Sequence, residues 1–300
     1  MADPKARLRE NVPGEFYVDD SCIDCDTCRQ IEPSVFARAA RQQSYVAQQP
    51  GTEAARERSV MALVACPTSS IGTTSRLDAR EAAKRFPEIV ADEVYYCGFA
   101  SASSYGASSY LIRRPEGNVL VDSPRAAGPL IERIEQLGGV DFMFLTHCDD
   151  VADHELFRRH FSCERILHAA DVGSGTHGVE RKLEGTEPIR LASDLLAIPV
   201  PGHTRGSVAL LFRETFLFTG DHLWGLADGS GLRASRAVCW YSWPEQLRSV
   251  EGLLAYDFRW VLPGHGRRFA TDSIEGMREQ LGRLLSDIGP RRTPKKAASG

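Results

Sequence analysis

The stretch His147-Cys-Asp-Asp-Val-Ala-Asp-His154 places two histidines and three aspartates within eight residues. It follows the apolar run Phe142-Met-Phe-Leu145, which predicts a buried strand. A strand that ends in such a cluster directs several side chains at one place. Imidazole and carboxylate groups bind zinc and iron in proteins. The stretch therefore predicts one half of a metal site.

Three later segments carry the same ligand types beside glycine or proline. They are Pro201-Gly-His203, Gly220-Asp-His222 and Pro263-Gly-His-Gly266. Each follows a strand-like run, and glycine lets the backbone turn sharply close to a ligand. Loops at one edge of a sheet converge, so we expect the four segments to meet at a single metal centre.

The chain around these segments alternates between strand-like and helix-like patterns. The predicted strands are two within residues 110–122, then 142–145, 195–200, 208–212, 216–219 and 260–262. The predicted helices cover residues 128–137, 150–161 and 273–288. Strands and helices interleaved in this way indicate a layered domain of mixed α and β structure.

The ligand pattern resembles the signature of the metallo-β-lactamase superfamily, His-x-His-x-Asp-His followed by a lone His, a Gly-Asp and a Gly-His. The resemblance implies an αβ/βα sandwich with a dinuclear metal site, and catalytic roles for Asp153 and Asp221. By this resemblance the first metal is bound by His147, Asp149 and His203, the second by Asp153, His154 and His265, and Asp221 bridges the two.

Two departures from that signature concern the opening stretch. An aspartate stands where the second histidine is expected, and the loop is two residues longer before Asp153. Asp149 is therefore favoured as the ligand, with Asp150, or neither of the two, as the alternatives. Asp150 could instead cap the following helix at its N-terminus. Asp150 and His222 are also candidates for residues that contact the metal ligands and orient them without binding a metal themselves.

A second cluster lies near the N-terminus, where Cys22, Cys25 and Cys28 follow at intervals of three and Cys66 precedes a proline. Four thiolates suit a [4Fe–4S] cluster. A zinc site is the alternative, although zinc sites usually group cysteines two and two. The block resembles a single-cluster bacterial-type ferredoxin, which implies one cluster bound by these four cysteines.

The expected organisation is an α+β chain in which a ferredoxin-like domain precedes the metallo-β-lactamase-like αβ/βα sandwich. The predicted segments are an extension (1–14), the ferredoxin-like domain (15–72), a linker (73–92), the metallo-β-lactamase-like domain (93–288) and a disordered basic tail (289–300).

Composition excludes several function classes. The net charge of −4 and the pI of about 6.1 argue against nucleic acid as a partner. No apolar stretch reaches the roughly 18 residues of a membrane span, and the N-terminus lacks an apolar signal region. We therefore expect reduced cysteines and a cytoplasmic protein, or a plastid stromal one if a transit peptide has been removed.

Acidic residues surround the cysteine cluster, and they are Asp19, Asp20, Asp24, Asp26 and Glu32. They could form a docking face for an electron-donor protein, or simply a solvated surface. The other expected partner is a small-molecule substrate, and a homodimer stays open as a further assembly.

Three functions remain in competition. The first is a redox enzyme whose [4Fe–4S] cluster passes electrons to a dinuclear site, with iron favoured over zinc, that reduces O2, NO or a peroxide. The extra carboxylate favours the harder metal, and the superfamily's flavodiiron proteins resemble this chain in that respect. The second is a zinc or iron hydrolase of an ester, thioester or phosphodiester, with a structural or regulatory cluster. The third is a non-catalytic redox- or metal-sensing module.

Overall fold

The computed structural model describes residues 2–40 and 42–289. The predicted basic tail lies outside the described residues, apart from Gly289. Within the described residues, no helix is long and apolar enough to cross a membrane.

The N-terminal part is built from six short elements. They are β1 (Phe16–Val18), α1 (Thr27–Ile31), β2 (Phe36–Arg38), β3 (Ser44–Val46), α2 (Glu53–Ala65) and β4 (Ile71–Thr73). Strand β1 pairs antiparallel with β4, and β2 pairs antiparallel with β3. The Thr52 side chain accepts a hydrogen bond from the amide of Ala55 and so caps α2 at its N-terminus. Cys66 follows directly where α2 ends.

Next comes a seven-stranded sheet with its connecting helices. Its elements in chain order are α3 (Arg80–Ala83), β5 (Glu88–Ala91), β6 (Val94–Tyr96), β7 (Tyr110–Ile112), β8 (Val119–Val121), α4 (Gly128–Gln136), β9 (Phe142–Phe144), α5 (His154–Phe161), β10 (Glu164–His168) and β11 (Arg181–Leu183). The strands lie in the order β11-β10-β9-β8-β7-β6-β5.

Part of the segment predicted as a linker belongs to this sheet. Residues 88–91 form its edge strand β5 and pair antiparallel with β6. Asp92, in the left-handed region with φ of 45°, turns the chain between the two strands. The rest of the predicted linker contains the single helical turn of α3.

A six-stranded sheet completes the sandwich. The remaining elements are β12 (Ile189–Ala192), β13 (Leu195–Pro199), β14 (Val208–Phe212), β15 (Phe216–Gly220), β16 (Trp224–Gly225), β17 (Leu232–Arg233), α6 (Trp243–Gly252), β18 (Trp260–Pro263), β19 (Phe269–Ala270) and α7 (Ile274–Ile288). The sheet order is β12-β13-β14-β15-β18-β19, while β16 and β17 form a small separate pair.

Alternation along the strands explains the two layers of core. Successive side chains of a strand point to opposite faces of its sheet. Phe216 and Phe218 accordingly join the core shared with the first sheet, whereas Leu217 joins the core under α6 and α7. Apolar residues on both faces of β15 thus make the six-stranded sheet an inner layer of an αβ/βα sandwich.

The larger core runs without interruption from the N-terminal part into the sandwich. It includes Phe16 and Phe36 on one side and Tyr96 and Phe218 on the other. Phe86 stands between them and packs edge-on against Tyr96, with ring centroids 5.9 Å apart. The two predicted domains therefore share one buried core.

Candidate metal centre and cysteine pocket

The first group of metal-ligating atoms comes from His147, Asp149 and His203. These atoms lie within 4.8 Å of one another. The Nε2 of His203 is 3.3 Å from Oδ2 of Asp149, and Nε2 of His147 is 4.0 Å from the same oxygen. The histidines follow β9 and β13, so two strand ends converge on one point.

The second group contains His147, Asp150 and Asp221, whose ligating atoms also lie within 4.8 Å of one another. His265 adds to it, because its Nδ1 is 2.8 Å from Oδ1 of Asp221. Asp221 also has Oδ2 3.8 Å from Nε2 of His203. Asp221 therefore lies between the two groups, as a bridging ligand would.

Each of the three histidines uses its other ring nitrogen in a supporting hydrogen bond. The partners are Thr146 Oγ1 for Nδ1 of His147 at 2.9 Å, the Val238 carbonyl for Nδ1 of His203, and the Tyr105 carbonyl for Nε2 of His265 at 3.4 Å. Such bonds fix the orientation of a ring. The second nitrogen of His203 faces the Asp149 carboxylate, that of His265 faces Asp221, and that of His147 has no hydrogen-bond partner among the described residues.

Asp122 and Thr146 determine which ring nitrogen of His147 carries the proton. Its buried carboxylate accepts hydrogen bonds from the amide of Thr146 at 2.8 Å and from the Thr146 hydroxyl at 3.0 Å. Because that hydroxyl donates its only proton to Asp122, it accepts a hydrogen bond from Nδ1 of His147. The lone pair of His147 Nε2 then points into the site. Burial, together with the Asp221 carboxylate, raises the pKa of Asp122 to about 7.

The residues of the site fit a pair of metal ions. Nε2 of His147 and both carboxylate oxygens of Asp150 are buried without a hydrogen-bond partner. Burying an unsatisfied polar atom costs about 1–3 kcal/mol. Burial lowers the pKa of His147 to about 4, which favours the neutral ring that a metal requires. Burial and the nearby Asp221 carboxylate raise the pKa of Asp150 well above its usual value, a penalty that a cation would relieve.

The structure does not bring Asp153 and His154 into the site, and their assignment as ligands was wrong. The Asp153 carboxylate accepts a hydrogen bond from the amide of Ala126 at 2.8 Å. The His154 ring is held by the Gly175 carbonyl at 3.1 Å and by Arg165 at 3.0 Å. The guanidinium cation next to that ring disfavours a metal there. Asp153 consequently loses its expected catalytic role as well.

The two additional residues of the loop explain this displacement. Helix α5 was predicted from residue 150 but begins at His154, with Asp153 as its N-cap. Ala152, with φ of 26°, interrupts any helical path before that point. Asp150 is thereby left in the loop, where it supplies the carboxylate expected from Asp153. Asp149 and Asp150, between which the sequence left a choice, both face the site.

His222 lies buried directly after Asp221. Neither of its ring nitrogens has a hydrogen-bond partner among the described residues, and burial lowers its pKa to about 3. It belongs to neither group of ligating atoms. A supporting role for His222 stays a prediction.

The four predicted cluster ligands line one cavity in the N-terminal part. They are Cys22, Cys25, Cys28 and Cys66. The amide of Ser44 donates to Sγ of Cys22 at 3.4 Å, and the amide of Ser70 donates to Sγ of Cys66 at 3.3 Å. Amide donors stabilise cysteinate sulfurs, so the pocket fits a bound iron–sulfur cluster.

The cysteine pocket lies directly against the loop that carries His265. A Cβ added to Gly106 would be 2.4 Å from Cβ of Cys25, so the backbone there passes in close contact with a cluster ligand. Arg267 binds the Asp26 carboxylate at 2.7 Å. The Gln30 side chain donates to the Gly266 carbonyl at 2.9 Å. These contacts connect both predicted sites within one chain, which sequence motifs did not predict.

The acidic residues near the cysteines are mostly engaged inside the protein. Asp24 and Asp26 both bind Arg29, whose side chain is buried. Asp19 and Glu32 are also buried, and they accept hydrogen bonds from neighbouring serines. Of the five, Asp20 is the exposed one. Little unpaired negative charge is therefore left for a docking face, and a donor protein at that face stays a proposal.

Both parts of the chain are similar in sequence to known proteins. Residues 18–73 match the family model described as the 4Fe-4S single cluster domain of Ferredoxin I. The hydroxyacylglutathione hydrolase of Methylococcus capsulatus is 31% identical over 147 residues, which are 47% of this chain and 57% of that enzyme. The chain thus spans about half the length of the hydroxyacylglutathione hydrolases that it matches.

Two further likenesses concern the sandwich. A probable metallo-hydrolase of Methanocaldococcus jannaschii is 27% identical over 193 residues, covering 54% of this chain and 88% of that protein. The solved structure of ETHE1 from Myxococcus xanthus aligns with 64% of this chain and 84% of its own, at 18% identity and a TM-score of 0.46. Residues 18–73 therefore resemble a single-cluster 4Fe-4S domain, and the sandwich that follows is similar in sequence to a probable metallo-hydrolase and to hydroxyacylglutathione hydrolases.

Proposed function

We propose that this chain is a redox metalloenzyme in which electrons pass from the cysteine pocket to the His/Asp site, where a small oxidant such as O2, NO or a peroxide is reduced. The observation that carries the proposal is the direct packing of one site on the other. Gly106 contacts Cys25, and the carbonyl of the adjacent Tyr105 accepts a hydrogen bond from the ring of His265. A short path of bonded atoms and contacts thus runs from a cluster ligand to a metal ligand.

The donor set supports iron at the His/Asp site. Three histidines and three aspartates face it, and one of these aspartates stands where the superfamily signature has a histidine. Carboxylates suit harder cations, whereas zinc sites depend more on imidazole and thiolate. The cysteines would hold a cluster that supplies one-electron chemistry, and the histidines and aspartates would hold iron ions that supply redox chemistry at the substrate.

The residues of the chain contribute position and charge. Thr146 and Asp122 hold His147 with its lone pair towards the site, and Arg267 ties the loop of His265 to Asp26. Asp149 is about half exposed, so it lies on the side from which a substrate arrives. Asp150 is buried and Asp221 is 13% exposed, so both are less accessible than Asp149. The arrangement supports access of a substrate to one face of the site only.

The experiment uses protein purified under exclusion of oxygen, with iron and zinc measured by element. The cluster is reduced, each oxidant is added, and the visible absorbance of the cluster is followed. We expect rapid reoxidation in the native protein and slow reoxidation in Asp221→Asn, which removes a charge between the two ligand groups. Asp153→Asn is the matched control. Zinc alone at the site, with equal reoxidation rates in native protein and Asp221→Asn, would contradict the proposal.

Hydrolysis is the second candidate, favoured by the sequence similarity to hydroxyacylglutathione hydrolases. Two metal ions would then activate a water molecule for attack on an ester or thioester. A panel of such substrates, tested with iron-loaded and zinc-loaded protein, separates the two functions. Turnover that needs no reductant and is unaffected by the oxidation state of the cluster would favour the hydrolase.

A further inference from the structure

Large apolar side chains are exposed mainly around the His/Asp site. Six of them stand out in the described residues, and four of the six lie in two segments that contact metal-ligand candidates: Tyr105, Val238, Trp240 and Tyr241. Tyr105 is 63% exposed and Trp240 65% exposed. Exposed apolar surface concentrated at one place marks a binding region more often than scattered single residues do.

Trp240 is held beside the first ligand group by His203 itself. The two ring centroids are 6.0 Å apart. The backbone amide of Trp240 donates to the His203 carbonyl at 2.9 Å, and the Val238 carbonyl accepts from the His203 ring. These contacts use the backbone of the segment. The indole can therefore be exchanged without removing the hydrogen bonds that support the ligand.

Tyr105 occupies the corresponding position beside the second group. Its ring centroid is 6.5 Å from that of His265. The residue has φ of 51°, in the left-handed region, where a bulky side chain is strained. Strain of this kind is concentrated at functional sites. The Tyr105 amide donates to the Ala102 carbonyl at 3.2 Å, which holds the residue in this conformation.

We propose that Tyr105 and Trp240 form a two-part aromatic subsite for a planar or apolar organic group, and that the oxidant is accordingly an organic hydroperoxide. This inference rests on the proposed redox function. O2, NO and hydrogen peroxide are too small to cover two separate aromatic rings. A molecule with an aromatic or alkyl group would cover them while its peroxide reaches Asp149, the half-exposed carboxylate of the site.

The reaction balances with two electrons and two protons. The O–O bond of ROOH breaks, one oxygen leaves as the alcohol ROH, and the other leaves as water. The electrons arrive singly through the cysteine pocket from a one-electron donor protein, and the protons come from solvent at the exposed face of the site. The organic group itself is unchanged, so the subsite only positions it.

The first test measures binding without chemistry. Cumyl alcohol, which lacks an O–O bond, is titrated against the anaerobic protein and followed by ligand-observed NMR. We expect Tyr105→Asn and Trp240→Ala each to weaken binding about tenfold, which corresponds to ~1.4 kcal/mol and lies within the range for one lost aromatic contact. Asparagine tolerates the left-handed backbone at position 105. Ile89→Asn, on β5 and 62% exposed, is the matched control and should bind like the native protein.

The second test compares cumene hydroperoxide with hydrogen peroxide as oxidants of the reduced cluster. We expect the native protein to prefer cumene hydroperoxide, and either variant to lower that preference about tenfold. Native-like alcohol binding by both variants, or an unchanged preference, would overturn the subsite. If no peroxide reoxidises the cluster, the assignment of a hydroperoxide substrate and the reduction of peroxides are both contradicted. Ring-dependent binding of cumyl alcohol in that case would still support an organic substrate.

Discussion

Gly106 and Cys25 touch across the boundary between the two parts of the chain. The glycine has φ of 86°, and any side chain at this position would overlap the cysteine. A residue of the sandwich therefore packs directly against Cys25, which lines the cysteine pocket. The contact makes the cluster sensitive to changes far from it in sequence.

Gly106→Ala is expected to reduce iron and sulfide content and to lower the melting temperature. The new methyl group would lie 2.4 Å from Cβ of Cys25, and the left-handed backbone adds strain of about 1 kcal/mol. Iron and sulfide analysis of freshly purified protein, with calorimetry, measures both effects. Gly128→Ala is the control, since a Cβ there meets nothing within 4 Å. Full cluster content in Gly106→Ala would mean that the contact is dispensable.

Asp150→Asn should lower the metal content from two ions per chain to one, whereas Asp153→Asn should leave it at two. Asp150 has two buried, unpartnered oxygens, but the Asp153 carboxylate is used by the Ala126 amide. Metal-to-protein ratios after dialysis provide the measurement. Asp153→Asn should still lose about 1 kcal/mol of stability through its weakened hydrogen bond. The reverse pattern of metal loss would restore the ligand set implied by the superfamily signature.

Thr146→Val is expected to lower metal affinity by roughly 10- to 100-fold, the usual effect of losing a residue that orients a ligand. The change removes the hydroxyl between Asp122 and His147, so the ring loses the bond that sets its proton. Thr146→Ser keeps the hydroxyl and serves as control. Competition with a chromophoric chelator yields the affinities. Equal affinities for the two variants would show that the hydroxyl does not orient His147.

Asp149→His should increase the ratio of bound zinc to bound iron by about tenfold, which corresponds to ~1.4 kcal/mol in relative affinity. The substitution replaces a carboxylate of the first group with the imidazole that zinc prefers. Elemental analysis after growth in medium containing both metals is the measurement. An unchanged ratio would indicate that the aspartate does not select the metal.

Glu180 should make the protein less stable in acid. Burial raises the pKa of this carboxyl, but hydrogen bonds from Arg165 outweigh burial and lower it to about 2, below its ordinary 4.5. The stabilisation is therefore complete above pH 4.5 and is lost as pH falls towards 2. About 1–2 kcal/mol is expected, allowing for screening of a side chain that is 30% exposed.

Glu180→Gln should remove that part of the acid sensitivity, as measured by urea unfolding between pH 3 and 7. Glu184→Gln is the matched control, because the exposed Glu184 forms no ion pair within residues 2–40 and 42–289. Parallel stability curves for the native protein and Glu180→Gln would contradict the assignment.

Much of this architecture could be predicted from local patterns. Residues 208–212 form β14 as expected, and the helix predicted over residues 273–288 is found as α7. The same holds for the convergence of His147, His203, Asp221 and His265, because ligands beside glycine after apolar runs identify strand ends that meet. Periodicity is a property of neighbouring residues and is therefore visible in a single sequence.

The errors have a different origin. Whether Asp150 or Asp153 faces the site depends on where α5 begins, and a loop two residues longer allows both solutions. Strand β10 was missed because only two of its five residues, Ile166 and Leu167, are apolar, and polar residues lie on both sides of them. The contact of Gly106 with Cys25 joins residues about eighty positions apart, and no local signal reports it.

The core in which Phe86 packs against Tyr96 spans the boundary between the two parts of the chain. The walls of the cysteine pocket belong to that same core, so a chain that has not received its cluster lacks support on both sides of the boundary. We therefore expect iron–sulfur insertion to come first and loading of the His/Asp site second. Until both are complete, the newly made chain would be a preferred target of proteases.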